Sequence, residues 1–480
     1  MSAAIGLPAL EQRLALELQS LDLPAKAWMP TVDTTSHRHH VLIVGGGMAG
    51  ATLYTALKFL GVPATIIDES PADLEGPWGT TARMDTLRSP KQLTGPALGI
   101  PSLTFRAWFV AQFGEEKWEA LDKIPRLQWL EYLNWYKRVM QVPVKNETRL
   151  THVDASDPEW LRLTLRNPYG ELESHYARRV VLATGRDGLG GPSLPEAAAE
   201  LPRSCWAHSA DTNDYAELAG KRVGVIGAGA SAMDSAATAL EAGAASVDLL
   251  IRRAEMPRVN KGKGAGSPGM VYGFSSLPDE WRWKIRHYIN TQQVPPPRGS
   301  VLRVSQHPQA RFYLNCPFTA LQYKDNAIYV STPQGEFVFD FLIFATGFKV
   351  DWHARPEFQA IATGIRTWGD RYQASADEHD AELASLPDLG DDFAFQAKDT
   401  DQWPGLSRIH CFAYPAVLSH GTITGDIPAI SDGARRLAQS LVSAFFVEDI
   451  PYHFAQLQAF NEPEIYGDEW VDASRTKGDA

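Results

Sequence analysis

The stretch VLIVGGGMAGATLYTALKFLGVPATIID, residues 41–68, decides how this chain of 480 residues folds. VLIV has the composition of a short buried strand, GGGMAG that of a tight turn, and ATLYTALKFLG that of a helix. ATIID follows as a second short apolar strand. The stretch therefore predicts one strand–helix–strand unit of an α/β domain.

The turn in this unit carries glycines at the spacing of a dinucleotide fingerprint, Gly45, Gly47 and Gly50. The first glycine permits the tight turn, the second lets the backbone approach a pyrophosphate, and the third lets the helix pack on the strand. The helix N-terminus offers free N–H groups and partial positive charge to phosphates. Asp68 ends the second strand, where a carboxylate binds ribose hydroxyls. We expect these four residues to bind a first dinucleotide.

A second unit of the same kind begins at residue 221, with the strand KRVGVIG, the turn GAGASA and the helix MDSAATALEAG. Its fingerprint is Gly227, Gly229 and Ala232, with alanine tolerated at the third position. Ser231 lies between them and is a further candidate for phosphate binding. Two fingerprints in one chain predict two nucleotides, between which a hydride would pass.

The two units differ in the residue that follows their last strand. SVDLLIRR ends in Arg252 and Arg253 where the first unit has an acid. An acid would repel a 2′-phosphate, whereas a guanidinium can bind it through two hydrogen bonds. The second site is therefore predicted to prefer NADPH to NADH, and the acidic first site has the usual arrangement for FAD.

Composition excludes several other classes. Lys plus Arg number 45 and Asp plus Glu 57, a formal charge of −12, which differs from the basic footprint of a nucleic-acid binder. The three cysteines form no CxxC, so a thioredoxin-type redox pair is excluded and a reducing cytoplasm is expected. We expect no signal peptide and no membrane span.

The order of short motifs along the chain resembles the flavin-containing monooxygenase superfamily, which includes Baeyer–Villiger and N-hydroxylating enzymes. The motifs are VGGGMAG, EGPW at 75–78, LATG at 182–185, AHS at 207–209, GAGASA at 227–232 and FATGF at 344–348. The resemblance implies an α/β fold of two nested, Rossmann-like dinucleotide-binding domains, the NADP domain being inserted in the FAD domain. The boundaries expected from it are 1–38 for an N-terminal extension, 39–203 and 336–450 for the FAD domain, 204–335 for the NADPH domain, and 451–480 for a C-terminal tail.

The same resemblance implies an FAD-dependent, NADPH-consuming monooxygenase that forms a C4a-(hydro)peroxyflavin. One oxygen of O₂ would pass to a small-molecule substrate by N-oxygenation, S-oxygenation or Baeyer–Villiger insertion. Two alternatives stay open: a flavoprotein reductase or oxidase without oxygen transfer, and a flavin-binding sensor module that does no catalysis. A homodimer is a common default for such a chain.

Several single residues become candidates through the resemblance. Trp78 ends the EGPW element, which the family has as GG-x-W, and Arg88 lies where many members carry an asparagine near the flavin. A cation there could stabilise a peroxyflavin anion, so Arg88 is a catalytic candidate. His208 is the second, since it could contact the nicotinamide ribose or orient a segment that links the domains.

Three more candidates concern the flavin. Thr346 and Gly347 are expected to bring backbone near the flavin or the link between the domains. Asp426 is expected at the ribityl chain, before a helix that starts near Ile430 and whose N-terminus would stabilise a reduced flavin. The run HRHH, His37 to His40, could suggest a metal, but we favour a solvated turn before a strand and expect no metal site.

Overall fold

The computed structural model describes residues 6–474. The expectations for the first five and the last six residues, which belong to the N-terminal extension and the C-terminal tail, lie outside the described residues. Within 6–474, no helix is both long and apolar enough to cross a membrane. The expected α/β class is confirmed by alternating helices and strands.

The described chain contains fifteen α-helices. They are Leu7–Ser20 (α1), Met48–Phe59 (α2), Phe105–Phe113 (α3), Glu115–Ala120 (α4), Arg126–Val139 (α5), Ala230–Glu241 (α6), Lys261–Gly264 (α7), Pro268–Gly273 (α8), Asp279–Gln292 (α9), Arg298–Ser305 (α10), Trp368–Arg371 (α11), Ala381–Ser385 (α12), Val417–His420 (α13), Ile430–Glu448 (α14) and Ile450–Ala459 (α15).

Seventeen strands accompany these helices in residues 6–474. They are Arg38–Val44 (β1), Ala64–Ile67 (β2), Val144–Lys145 (β3), Arg149–Asp154 (β4), Leu161–Arg166 (β5), Leu172–Leu182 (β6), Gly190–Pro192 (β7), Trp206–His208 (β8), Arg222–Ile226 (β9), Ser246–Leu250 (β10), Ala310–Tyr313 (β11), Ala320–Lys324 (β12), Ala327–Thr332 (β13), Gly335–Phe339 (β14), Phe341–Phe344 (β15), Phe348–Val350 (β16) and Ile409–Cys411 (β17).

The first sheet has the order β3-β2-β1-β6-β5-β4, and β17 pairs with the second half of β6. β3, β2, β1, β6 and β17 are parallel, whereas β4 and β5 add an antiparallel pair to the first half of β6. Parallel strands are buried on both faces, which is why VLIV and VVL are unbroken apolar runs. Helices α2 and α14 pack together on this sheet.

The second sheet is entirely parallel, with the order β11-β10-β9-β15-β8. Its central strand β9 leads into α6, whose alanines are buried against the sheet. A three-stranded antiparallel sheet, β12-β13-β14, packs beside it. Strands from residues 206 to 344 thus form a unit that interrupts the first sheet between β6 and β17.

The strand pairing places the end of the second domain later in the chain than the boundary expected at residue 336. β15 lies in the middle of the second sheet, between β9 and β8, and extends to Phe344. The boundary at 336 would separate β15 from the strands with which it shares hydrogen bonds. We therefore propose that the chain returns to the first domain at residues 345–347, directly after β15.

Outside the sheets, an aromatic cluster joins the start of the chain to the segment 87–140. Leu10 and Leu14 of α1 are buried there, together with aromatic residues of α3 and α5. α4 and α5 are separated by residues 121–125, which end in Pro125. Trp129, Leu133 and Tyr136 of α5 are all buried in this cluster.

Candidate active site at the carboxyl edges of two sheets

The first glycine turn lies at the carboxyl end of β1. Gly45 has φ +110°, and a Cβ there would lie 2.4 Å from the carbonyl oxygen of Ala183. A Cβ on Gly50 would lie 1.8 Å from the carbonyl oxygen of Gly45, so only glycine lets α2 start this close to the turn. Gly47 is different, because among residues 6–474 no atom comes closer than 3.7 Å to its Cβ position.

Asp68 follows β2 at the same edge of the sheet. Its carboxylate accepts a 2.7 Å hydrogen bond from the N–H of Gly46 and another of 2.7 Å from the N–H of Ser70. The carboxylate is therefore held against the glycine turn rather than directed into solvent. This is the geometry that a ribose beside the turn would need.

The EGPW element covers the turn from the other side, because the nearest atoms to Gly47 belong to Gly76. Glu75 anchors the element: it is buried, it forms an ion pair with Lys137, and it accepts a 2.7 Å hydrogen bond from Asn146. Trp78 packs edge-on against Trp129, with ring centroids 6.4 Å apart. Glu75, where the family pattern has glycine, is thus a structural anchor that sequence reasoning missed.

The second glycine turn repeats this geometry at the carboxyl end of β9. Gly227 has φ +139°, and its Cβ position lies 2.6 Å from the carbonyl oxygen of Ala345. Gly229 precedes α6, and none of the described residues places an atom within 4 Å of its Cβ position. Ala232 is fully buried, so a methyl group is accommodated at the third position, and Ser231 is exposed in the first turn of α6.

Each ATG segment lies against one glycine turn, which the sequence did not predict. Ala183 contacts Gly45, and Ala345 contacts Gly227. Each segment then ends in a glycine with positive φ, +81° at Gly185 and +84° at Gly347. The chain passes from one domain to the other in these two segments, and we call the segment that starts at Ala183 the first crossing and the segment that starts at Ala345 the second crossing. Each crossing therefore starts directly beside one of the two turns, and a small residue is required at each contact.

The crossings are also hydrogen-bonded to each other. Thr346 donates a 2.5 Å hydrogen bond from its hydroxyl to the carbonyl of Ser193, and the N–H of Ser193 donates to the carbonyl of Gly347 at 2.8 Å. β7 and β16 continue this contact as an antiparallel pair. Thr346 and Gly347 thus hold the link between the domains in one conformation.

The two arginines after β10 lie in different environments. Arg253 is partly buried and donates a 3.2 Å hydrogen bond to the carbonyl of Thr291 in α9. Arg252 is exposed, and within residues 6–474 its guanidinium has no hydrogen bond or ion pair. Arg252 is therefore free to bind a phosphate, whereas Arg253 already has a structural partner.

His208 ends β8 and is almost fully buried. Its Nδ1 accepts a 3.2 Å hydrogen bond from the N–H of Ala210, and its ring contacts Phe348 edge-on, with centroids 5.5 Å apart. Burial lowers the pKa of His208, and the nearby Asp211 carboxylate opposes that shift. His208 is thus a buried side chain packed against the second crossing.

Arg88 belongs to the first domain but has its partner in the second. Its guanidinium lies 3.7 Å from the carboxylate of Asp234, a buried residue of α6 that also accepts a 2.8 Å hydrogen bond from Ser300. Burial lowers the pKa of Arg88 and raises that of Asp234, and each charge opposes the other's shift. This ion pair reduces the positive charge that Arg88 could direct to a flavin, and it ties the two domains together.

A group of cationic residues that sequence reasoning missed lies beside the first crossing. The Arg186 guanidinium lies 4.6 Å from the ring centroid of Tyr414 and 5.9 Å from that of Phe348. Arg286 of α9 is 8% exposed, and its Nε has no hydrogen-bond partner among the described residues. Burial lowers the pKa of Arg286, and Tyr414 opposes this shift. A buried guanidinium with an unpaired donor is costly, so this site favours an anionic ligand.

Asp426 lies on the loop between β17 and α14, at the carboxyl edge of the first sheet. Solvent reaches its carboxylate, yet the surrounding protein raises the pKa of Asp426 by desolvation, with the N–H of Ile427 opposing. α14 begins at Ile430, as the sequence predicted. In the part of the chain that the structure describes, no atom lies within 4 Å of the Cβ position of Gly425, which leaves room for a ligand beside Asp426.

The residues fit two dinucleotides. Gly47 and Gly229 both precede a helix, and the space beside each is open although the neighbouring glycines are tightly packed. Both turns, Asp68 and the two crossings lie at carboxyl ends of parallel strands, where α/β sheets bind ligands. The first turn would hold FAD with Asp68 on its ribose, and the second would hold the nicotinamide nucleotide.

Two family patterns match the chain. The L-lysine 6-monooxygenase/L-ornithine 5-monooxygenase family matches residues 117–295, and an FAD-NAD(P)-binding family matches residues 42–187. An FAD-dependent urate hydroxylase of Xanthomonas campestris is 36% identical over 472 residues, 97% of this chain and 98% of that protein. The chain belongs to the flavin-containing monooxygenase superfamily.

Two solved structures have a fold similar to that of this monooxygenase. An ornithine hydroxylase from Pseudomonas aeruginosa superposes with a TM-score of 0.66 at 16% identity, covering 84% of this chain and 98% of the other. An ornithine N-hydroxylase from Kutzneria sp. 744, solved with reduced FAD, NADP⁺ and L-ornithine, gives a TM-score of 0.65 at 14% identity, covering 85% and 99%. The expected family, the expected two-dinucleotide fold, and FAD and NADP as cofactors are confirmed.

Proposed function

We propose that this flavoprotein monooxygenase consumes NADPH and O₂ to hydroxylate a small anionic substrate, with urate as the first candidate. The overall reaction would be substrate plus O₂, NADPH and H⁺ giving hydroxylated substrate, NADP⁺ and water. The observation that carries the proposal is the pair of glycine turns, each beside one of two crossings that are hydrogen-bonded to each other. Bound FAD would supply the oxygen chemistry through a C4a-(hydro)peroxyflavin.

The chain's own residues would then position and shield the reacting groups. Arg252 would hold the 2′-phosphate, which favours NADPH over NADH. The Arg88–Asp234 ion pair would keep the domains at a fixed distance, so we propose Arg88 as a positioning residue. His208 would support the second crossing from its buried position. Asp426 would hold the ribityl chain at the start of α14.

The charges around Tyr414 support an anionic substrate. Arg186 and the buried Arg286 approach Tyr414, and Glu382 faces both arginines. Burial and the neighbouring Asp380 raise the pKa of Glu382, so the negative charge beside the two guanidinium groups is disfavoured. A urate-like anion would pair with the guanidinium of Arg286, whose buried Nε has no partner among the described residues, whereas a cationic amine would be repelled. The relative that matches almost the whole chain is named for urate, which agrees with this charge.

N-hydroxylation of an amine is the second candidate. Its support is the lysine and ornithine monooxygenase family, which matches residues 117–295, and an L-lysine N6-monooxygenase of Escherichia coli that is 27% identical over 180 residues, 36% of this chain and 39% of that protein. That likeness covers a smaller part of the chain than the urate hydroxylase does. The two candidates differ in substrate charge, so one experiment separates them.

The test is rapid mixing of NADPH-reduced enzyme with oxygenated buffer, followed by absorbance. A transient near-ultraviolet band before the oxidised flavin spectrum returns is expected. Urate should then couple NADPH oxidation to product with little H₂O₂, and L-ornithine should not. Coupling with L-ornithine alone would favour N-hydroxylation. Direct return to oxidised flavin with stoichiometric peroxide, whatever the substrate, would instead indicate an oxidase or reductase. A flavin that NADPH does not bleach would favour the sensor module.

A further inference from the structure

Three metal-binding side chains meet at the amino-terminal end of β1, far from the nucleotide sites. His37 directly precedes β1, and Glu173 and His175 lie in the first half of β6. His37 Nδ1 is 3.1 Å from His175 Nε2, which is 3.2 Å from a carboxylate oxygen of Glu173. The three ligand atoms all lie within 4.8 Å of one another. The expected solvated turn at HRHH is therefore wrong, since His39 and His40 are buried in β1.

Two of the three separations are close to an edge of a metal coordination tetrahedron, and the third, between His37 and Glu173, is at most 4.8 Å. Nitrogen and oxygen ligands lie about 2.0–2.1 Å from Zn²⁺, so two ligands at the tetrahedral angle are about 3.3–3.4 Å apart. The two measured distances are 3.1 and 3.2 Å, close to that value. His37 is exposed, so its side chain can adjust and water can reach the fourth position.

Hydrogen bonds behind the ligands leave a lone pair for a metal. His175 Nδ1 is 3.0 Å from His39 Nε2, and His39 Nδ1 is 2.9 Å from the hydroxyl of Thr65. With a proton on each Nδ1, His175 donates to His39 and His39 donates to Thr65, so Nε2 of His175 is unprotonated. A second partner of this kind commonly fixes the tautomer of a metal-bound histidine.

Glu173 is held in place by a similar contact. Its other carboxylate oxygen accepts a 2.8 Å hydrogen bond from the side-chain amide of Asn167. One carboxylate oxygen therefore remains directed to His175. Each ligand from β6 thus has a partner that orients it, and neither partner competes for the metal-facing atom.

We propose that His37, Glu173 and His175 bind one zinc ion, with water as the fourth ligand. Two imidazoles and one carboxylate form a donor set that suits Zn²⁺ better than Mg²⁺ or Ca²⁺. The ion would join the start of β1 to the part of β6 that pairs with β5, just before the first residue of β6 that pairs with β1, Tyr176. The seven residues of β1 separate His37 from Gly45 by about 25 Å, so the role is structural.

The test uses the full-length, FAD-loaded protein after removal of metals with a chelator. Titration with Zn²⁺ should show one site per chain and a rise in Tm, and Co²⁺ should give the visible absorption of a tetrahedral site. His37→Asn and Glu173→Gln should each weaken binding at least tenfold. His152→Asn removes an exposed histidine of β4 and should change nothing.

His37→Asn and Glu173→Gln replace an exposed and a partly exposed side chain, so both variants should fold and keep their FAD absorbance. Zn²⁺ binding that survives in both variants would overturn the proposal. The absence of any Zn²⁺-dependent rise in Tm in the unsubstituted protein would also overturn the proposal. Hydrogen bonds between the three side chains would then account for their arrangement without a metal. The three cysteines of the chain are buried, and a control with blocked thiols excludes them as ligands.

Discussion

Arg252→Ala should make the enzyme lose its preference for NADPH over NADH. In the structure the Arg252 guanidinium is exposed and lacks a partner among residues 6–474, so the substitution removes no contact that stabilises the fold. A hydrogen bond to a charged group contributes about 1.5–3 kcal/mol. At about 1.36 kcal/mol per factor of ten, the loss is about 10- to 160-fold in NADPH affinity. NADH has no 2′-phosphate, so its affinity should not change.

The assay is the reductive half-reaction, in which bleaching of the oxidised flavin band is followed at increasing NADPH or NADH without O₂. Arg253→Ala should have a smaller effect on NADPH, because that side chain is hydrogen-bonded to the carbonyl of Thr291. Arg166→Ala removes an exposed arginine of β5 in the first sheet and controls for net charge. Equal loss of affinity for both nucleotides in Arg252→Ala, or no loss at all, would refute the assignment of the 2′-phosphate.

Three further predictions test the first glycine turn, the buried His420 and the proposed anion site at Arg286. Gly47→Ala should fold, because its Cβ has room in the protein, but should purify without yellow flavin. Gly50→Ala places its Cβ 1.8 Å from a carbonyl oxygen and should unfold at a clearly lower temperature. Equal losses of Tm in the two variants would contradict this reasoning. Burial lowers the pKa of His420 to about 3, so the unfolded chain binds the proton first. The contribution of neutral His420 to the free energy of unfolding is fully present above about pH 6.5, and about 2 kcal/mol of it is lost at pH 5. His420→Gln should therefore make the free energy of unfolding in urea less dependent on pH over this range, whereas the exposed His152→Gln should leave the pH dependence unchanged. Arg286→Met should raise KM for urate about tenfold or more while NADPH oxidation without substrate stays constant; an unchanged KM would move the anion site elsewhere.

Much of the candidate site could be predicted because its parts are local. Gly45, Gly47, Gly50 and Asp68 lie within one strand–helix–strand unit, and the spacing of such a unit is fixed by strand and helix geometry. The second turn followed from the same pattern. The fold class followed as well, since two such units and the ordered motifs around them leave few alternative architectures.

The rest depends on residues that are distant in sequence. Nothing in the sequence pairs Arg88 with Asp234, and this pair changes Arg88 from an open cation to a link between domains. The pair of arginines beside Tyr414, Arg186 and Arg286, likewise requires α9 to bring Arg286 close to Tyr414. These contacts depend on how elements pack across the two crossings, and side-chain periodicity carries no information about that packing.

The sequence by itself determined the two nucleotide turns and their acidic and basic strand ends, because each depends on residues within about thirty positions, and it indicated the family through the order of short motifs along the chain. Only the tertiary structure decided that Ala183 and Ala345 each contact one of the turns, that β15 belongs to the second sheet, and that His37 lies beside His175. The physical reason is that hydrogen bonding between strands and the packing of helices on them join segments over a hundred residues apart, and those contacts form only when both sheets are complete.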